Sequence, residues 1–134
     1  SQFHKTTIFN GLKNILNDLV KVYKTGIVTS SPKKYATKLI EYHNLKIEVF
    51  SAYRDNKRHK PNPKPILNVL SSIKSEPKET AYIEDDVNDI IASKNVGVTS
   101  AAAVWGANDK IAIKNSNPDI LLSTSNDIIT NFLE

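Results

Sequence analysis

The sequence predicts an α/β domain with a mostly parallel sheet covered by helices on both faces. Three observations carry that prediction. Helical and strand periodicities alternate along the chain, the connections between them are short, and the conspicuous polar clusters each follow a strand. From Leu12 to Tyr23 the apolar positions Leu12, Ile15, Leu16, Leu19, Val20 and Tyr23 recur at spacings of three and four, the stripe of an amphipathic helix. Gly26 ends that pattern and Ile27-Val28-Thr29 reads as a short buried strand. Ser31 suits an N-cap with Pro32 at the first helical position, and the helix that follows turns Tyr35, Ala36, Leu39 and Ile40 inward as far as His43. Ile47-Glu48-Val49-Phe50 is the second strand, followed by a basic loop from Ser51 to Asn62. A helix starting near Pro63 is expected to bury Ile66, Leu67, Leu70 and Ile73. Thr80-Ala81-Tyr82-Ile83 is the third strand and runs into Glu84-Asp85-Asp86. The next helix, with Ile90 and Ile91 expected inward, ends at Gly97. Val98-Thr99 and Ile120-Leu121-Leu122 read as two more strands, and Ile128 to Leu133 as a closing helix.

The 134 residues suit a single domain, 1–134, in which 1–9 carries no assigned structure. Hydrophobic residues make up 40% and charged residues 24%, ordinary proportions for a globular domain able to bury a core without staples. The absence of cysteine excludes disulfides, thiolate metal sites and thiol nucleophiles. No apolar run reaches the length of a transmembrane helix and the N-terminus does not read as a signal peptide, so the expectation is a cytoplasmic protein with no membrane partner. The segment Arg54–Lys64 holds five basic residues and one acid, which accounts for the whole net charge of +4. The high isoelectric point therefore reports one local segment, and a nucleic-acid partner is not expected.

In a parallel sheet, ligands bind beyond the C-terminal ends of the strands. Thr29-Ser30-Ser31-Pro32 offers hydroxyls and free backbone N–H groups at a helix N-terminus, which suits either a phosphate oxygen or simple capping by Ser31. Lys60-Pro61-Asn62-Pro63 sets a lysine in a stiff turn, either aimed at a phosphate as a point charge or solvated. Glu84-Asp85-Asp86-Val87-Asn88-Asp89 packs four carboxylates into six residues. Asp85 and Asp89, four apart, could converge on a hard cation such as Mg²⁺, or Asp85 or Asp86 could cap the helix while the other acids complement its dipole.

Taken together, Thr29 after a hydrophobic strand, Lys60 in its Lys-Pro-Asn-Pro turn and Asp85/Asp89 after Tyr82-Ile83 resemble the second, third and fourth motifs of the haloacid dehalogenase-like superfamily, most closely its phosphoglycolate phosphatase-like branch. Gly97, Trp105-Gly106 and Pro118-Asp119-Ile120 extend the resemblance over nearly the whole chain. The resemblance implies a three-layer, Rossmann-like core and Mg²⁺-dependent hydrolysis of a phosphorylated small molecule. It implies that Thr29, Ser30 and Lys60 hold the phosphate and that Asp85 and Asp89 help to hold Mg²⁺. Two departures stand out. Glu84 occupies a position usually held by glycine, adding bulk and negative charge near the phosphate site. No Asp-x-Asp occurs anywhere in the chain, so the aspartate nucleophile of the first motif is absent.

The strand bearing that motif is central in the family's sheet, between the strands ending at Thr29 and Glu84. Its loss is expected to leave two inner edges unpaired. The resemblance implies that the chain begins where the family's small cap domain ends. It is then part of a longer enzyme, a core whose gap is filled by Gln2–Phe9 or by a partner chain through dimerisation or strand exchange, or a degenerate relative. A truncated or degenerate core, inert as a phosphatase, is the favoured expectation. The competing reading is a non-catalytic interaction module that binds an acidic or phosphorylated partner through residues 54–64. A two-component receiver domain fits less well, because its acidic pair would follow the first strand. His4, His43 and His59 lack partners for a metal site or triad, no phosphate-binding glycine loop is present, and Trp105-Gly106 is expected to be core packing and a turn.

Overall fold

The computed structural model describes residues 10–29, 48–51 and 63–134, with the side chains of 10–13, 29 and 48–51 outside the description. The first helix, α1 (Asn10–Val22), buries Ile15 and Leu19 along the predicted stripe. It is followed by β1 (Gly26–Thr29), which pairs in parallel with β2 (Glu48–Ser51), Ile27 facing Val49 and Val28 facing Phe50. Then come α2 (Lys64–Ile73), β3 (Ala81–Glu84), α3 (Val87–Val96), β4 (Thr99–Ala103), α4 (Lys110–Asn115) and β5 (Ile120–Leu122). A short α5 (Asn126–Ile128) runs into one π-helical turn, Ile129–Leu133. β3, β4 and β5 form a second parallel sheet in that order. Among the described residues nothing pairs β1 with β3, so the strands stand as a pair and a triplet. The predicted helix around Ser31 and the residues Ser30 and Lys60 lie outside the described residues, as does the basic segment except Pro63 and Lys64.

The sequence Thr-Ser-Ala-Ala-Ala of β4 explains the layering. Successive side chains in a strand point to opposite faces, and a strand covered on both faces has no polar side. Ala101 packs with Ile15, Leu19, Leu122 and Ile128, the layer formed by α1 and α5. Ala102 packs on the other face with Ile90, Val104, Ala107 and Ile113, the layer formed by α3 and α4. A third cluster of Ile66, Leu70, Ala92 and Val98 joins α2 to α3, and α2 also packs against β1 and β2. Each fully buried Ile or Leu contributes about 1.5–3 kcal/mol from its apolar surface. Alanines in β4 keep both helix layers close to the sheet. The three-layer parallel architecture expected from the periodicity is therefore observed.

Local chemistry fixes the ends of the elements. Asp119 begins β5 by latching onto β4: the Ser100 N–H (2.9 Å) and Oγ–H (3.2 Å) donate to its carboxylate, and its own N–H donates back to Ser100 Oγ (3.0 Å). Those donors, the backbone N–H first, hold the Asp119 carboxyl below the usual range. Gly97 closes α3 at φ 94, a left-handed position suited to glycine. The Tyr23 hydroxyl donates to the Phe132 carbonyl and so ties α1 to the C-terminal turn. No helix among the described residues is long and apolar enough to cross a membrane.

Three expected burials are corrected. Leu67 is 49% exposed, because Ile66, Leu70 and Ile73 define the inner stripe of α2 and Leu67 sits roughly 90° from its centre. Ile91 is 38% exposed, since α3 turns Ile90 toward α4 and Ala92 toward α2, leaving Ile91 between them. Trp105 is exposed rather than core, although it does lie in a turn, the 3-10 segment Val104–Gly106.

Candidate active site

The site forms where β3 hands over to α3. Asp86 is the N-cap: it has extended backbone, and its Oδ1 accepts the Asn88 N–H at 2.8 Å. That resolves the choice between the two aspartates and leaves Asp85 uninvolved in the cap. Asp89 lies in the first turn of α3, where a negative charge complements the free N–H groups.

Glu84, the last residue of β3, is only 9% exposed; neither carboxyl oxygen makes a hydrogen bond of full geometry, and the side chain it contacts is that of Asp89. Strand alternation sets it on the same face as Tyr82, toward α2 and α3. Its pKa is pushed up to about 10, first by burial, then by the charge of Asp89, a side-chain contact with Asp89, and the charges of Asp86 and Asp85. Asp89 is raised as well, by burial first and Asp86 next, the Glu84 contact opposing the shift. Burial and the same four acids hold the Tyr82 phenol far above its ordinary range.

Asp85 is exposed and is flanked by the backbone of Gly106: a Cβ built on Gly106 would stand 2.6 Å from Asp85 Oδ2. The structure thus brings Glu84, Asp85, Asp86 and Asp89 into one acidic cluster. Thr29 ends β1, with its side chain outside the description, and Ser30 and Lys60 lie outside the described residues altogether. Among the described residues no preformed group of three His, Asp or Glu side chains stands ready as a metal cage. The donor set nevertheless fits a hard divalent cation. It is all oxygen, its acids crowd one another enough to raise Glu84 and Asp89, and the buried Glu84 carboxyl lacks a hydrogen bond of full geometry. Glu84 is the residue that sequence reasoning undervalued. The signal for it was the strand itself, because the last residue of a strand sandwiched between helices is buried whatever its polarity.

The sequence model for haloacid dehalogenase-like hydrolases matches residues 1–103. The chain belongs to that family. Its haloacid dehalogenase-like core is 31% identical over 106 residues to a phosphoglycolate phosphatase from Salmonella paratyphi A, covering 78% of this chain and 42% of the relative. It is 27% identical over 125 residues to the pyrophosphatase PpaX of Bacillus pumilus, covering 92% of this chain and 56% of the relative. The chain thus spans about half the length of the curated relatives it matches. Among solved structures, a hydrolase from Pseudomonas syringae superposes with a TM-score of 0.79 at 22% identity, covering 96% of this chain and 60% of that one. A haloacid dehalogenase-like family protein from Streptococcus pneumoniae superposes with a TM-score of 0.80 at 17% identity, covering 97% and 62%. These likenesses show the haloacid dehalogenase-like fold over nearly the full described chain.

Proposed function

We propose that this chain is the portion of a phosphohydrolase that holds Mg²⁺ and the phosphate of a phosphorylated small molecule, and that it does not turn that substrate over as it stands. The observation that carries the reading is the buried Glu84 carboxyl, without a hydrogen bond of full geometry, beside Asp85 and Asp89 at the C-terminal end of a parallel sheet. An acid left unpaired in that position is unfavourable unless a cation or a proton accompanies it.

In this reading Asp85 and Asp89 help to hold Mg²⁺ beside the Glu84 carboxyl, while Asp86 remains engaged as the helix cap. When bound, the ion supplies Lewis acidity and charge neutralisation at a phosphoryl oxygen. Thr29, the last residue of β1, and Ser30 donate hydrogen bonds to the phosphate, and the Lys60 ammonium holds it as a point charge. Lacking Asp-x-Asp, the chain provides no nucleophile from that motif, so it binds and orients without completing phosphoryl transfer. The family relationship and the phosphatase relatives support a phosphohydrolase core; the site roles and the inactivity are our reading.

The test is a Mg²⁺ titration followed by the emission of Trp105, the single tryptophan of the chain, which adjoins Gly106 and hence Asp85. A saturable response that is lost in Asp85→Asn and weakened at least tenfold in Glu84→Gln is expected. The absence of a response, or an undiminished one in the double variant, overturns the metal reading.

A further inference from the structure

We propose that the turn Val104–Gly106, clamped by Lys110, positions the Asp85 carboxylate. Gly106 is not in the left-handed region of backbone space, so an alanine there is conformationally allowed. What opposes it is Asp85: the missing Cβ would meet Oδ2 at 2.6 Å, Cβ at 3.4 Å and Cγ at 3.5 Å. The first of these is a separation that real Cβ atoms essentially never show. Because Oδ2 is the outer end of an exposed side chain, it is the carboxylate that an added Cβ would displace, and the glycine leaves the room it occupies.

The turn cannot easily yield. Val104 and Ala107 at its two ends are buried with Ile90, Ala102 and Ile113, and the Ala107 N–H closes it onto the Val104 carbonyl at 3.2 Å. Lys110, the first residue of α4, donates from Nζ to the Val104 carbonyl (3.0 Å) and to the Trp105 carbonyl (3.5 Å). Asp109 fixes the origin of that lysine by capping α4, its Oδ1 accepting the Ala112 N–H at 2.9 Å. A carboxylate held by shape keeps its lone pairs for a ligand, whereas one held by N–H donors has spent some of them. Gly106 and Lys110 are thus positioning residues for Asp85. Their use toward Mg²⁺ rests on the function proposed above.

The experiment separates the two readings. In the metal-free protein, the side-chain carboxyl ¹³C signal of Asp85, assigned by its loss in Asp85→Asn, is followed in Gly106→Ala, Lys110→Met and Lys110→Arg. We expect the signal to move in the first two and to return toward wild type in Lys110→Arg, which retains a donor. An Asp85 signal unchanged in folded Gly106→Ala and Lys110→Met overturns the inference. Should Gly106→Ala not fold, the two lysine variants decide it alone. Mg²⁺ titration of the same proteins is expected to show about tenfold weaker binding in Gly106→Ala and Lys110→Met, as for other residues that orient a ligand. A displaced Asp85 signal in a protein whose wild type ignores Mg²⁺ supports the positioning role and overturns the metal reading.

Discussion

Glu84 is where charge, burial and pH meet. Its folded pKa of about 10 lies above its ordinary value of 4.5. Between those values the unfolded chain has released the proton that the folded chain retains, so the stability Glu84 contributes is fully present below pH 4.5 and is lost as pH rises toward 10. The slope is at most about 1.4 kcal/mol per pH unit for one group. Glu84→Gln keeps the shape and removes the titration. The variant is expected to be more stable than wild type at pH 8 and to show a flatter stability profile between pH 5 and 9 by urea denaturation. A wild-type profile that rises with pH over this range, or a Gln variant with an unchanged slope, contradicts the assignment. Glu84 also shows how far residues can be read without coordinates. Four carboxylates in six residues marked the place, but whether each is cap, ligand or orphan depends on backbone angles and burial that the sequence does not print.

At the scale of elements, α3 is the hinge of the site because it begins with a cap and ends on a left-handed glycine. Asp86→Ala removes the bond to the Asn88 N–H and is expected to lower stability by about 1 kcal/mol. Asp86→Asn keeps an oxygen acceptor while removing a charge that raises both Glu84 and Asp89, so it is expected to be neutral or stabilising. Equal losses in the two variants, measured by denaturant midpoint at pH 7, would contradict the capping role. Periodicity alone located α1, β1, β2, α2, β3, α3 and β5 to within two residues, because each carries a clear apolar stripe or run. Of β4 it marked only the first residue, Thr99, and it missed α4. The alanines of β4 carry little hydrophobic signal, and α4 is one short turn-and-a-half stabilised by the Asp109 cap rather than by its pattern. Leu67 and Ile91 misled for a related reason: hydropathy names an apolar residue, but the face it occupies is set by neighbouring helices.

For the whole molecule, the decisive feature is that the described strands pair as β1-β2 and as β3-β4-β5. The resemblance called for a central strand between those ending at Thr29 and Glu84, and among the described residues no pairing spans that interval. Amide hydrogen exchange is expected to protect the N–H groups of β1 that face β2 and those of β3 that face β4, while the alternate N–H groups exchange readily in dilute protein. Strong protection on both sides, independent of concentration, would contradict an unpaired interval. Protection that grows with concentration would instead identify a second copy as the source of the strand. Architecture was legible from the sequence because parallel order follows from alternating elements, and the interval between β1 and β3 that no described strand spans was legible only through the missing Asp-x-Asp. The missing motif and the acidic cluster meet in the function proposed above, a haloacid dehalogenase-like phosphohydrolase core that binds but does not turn over. Its most direct test is hydrolysis of a generic aryl phosphate by the 134-residue chain with saturating Mg²⁺. No turnover above background is expected. Clear Mg²⁺-dependent turnover that is abolished by Asp85→Ala would contradict it.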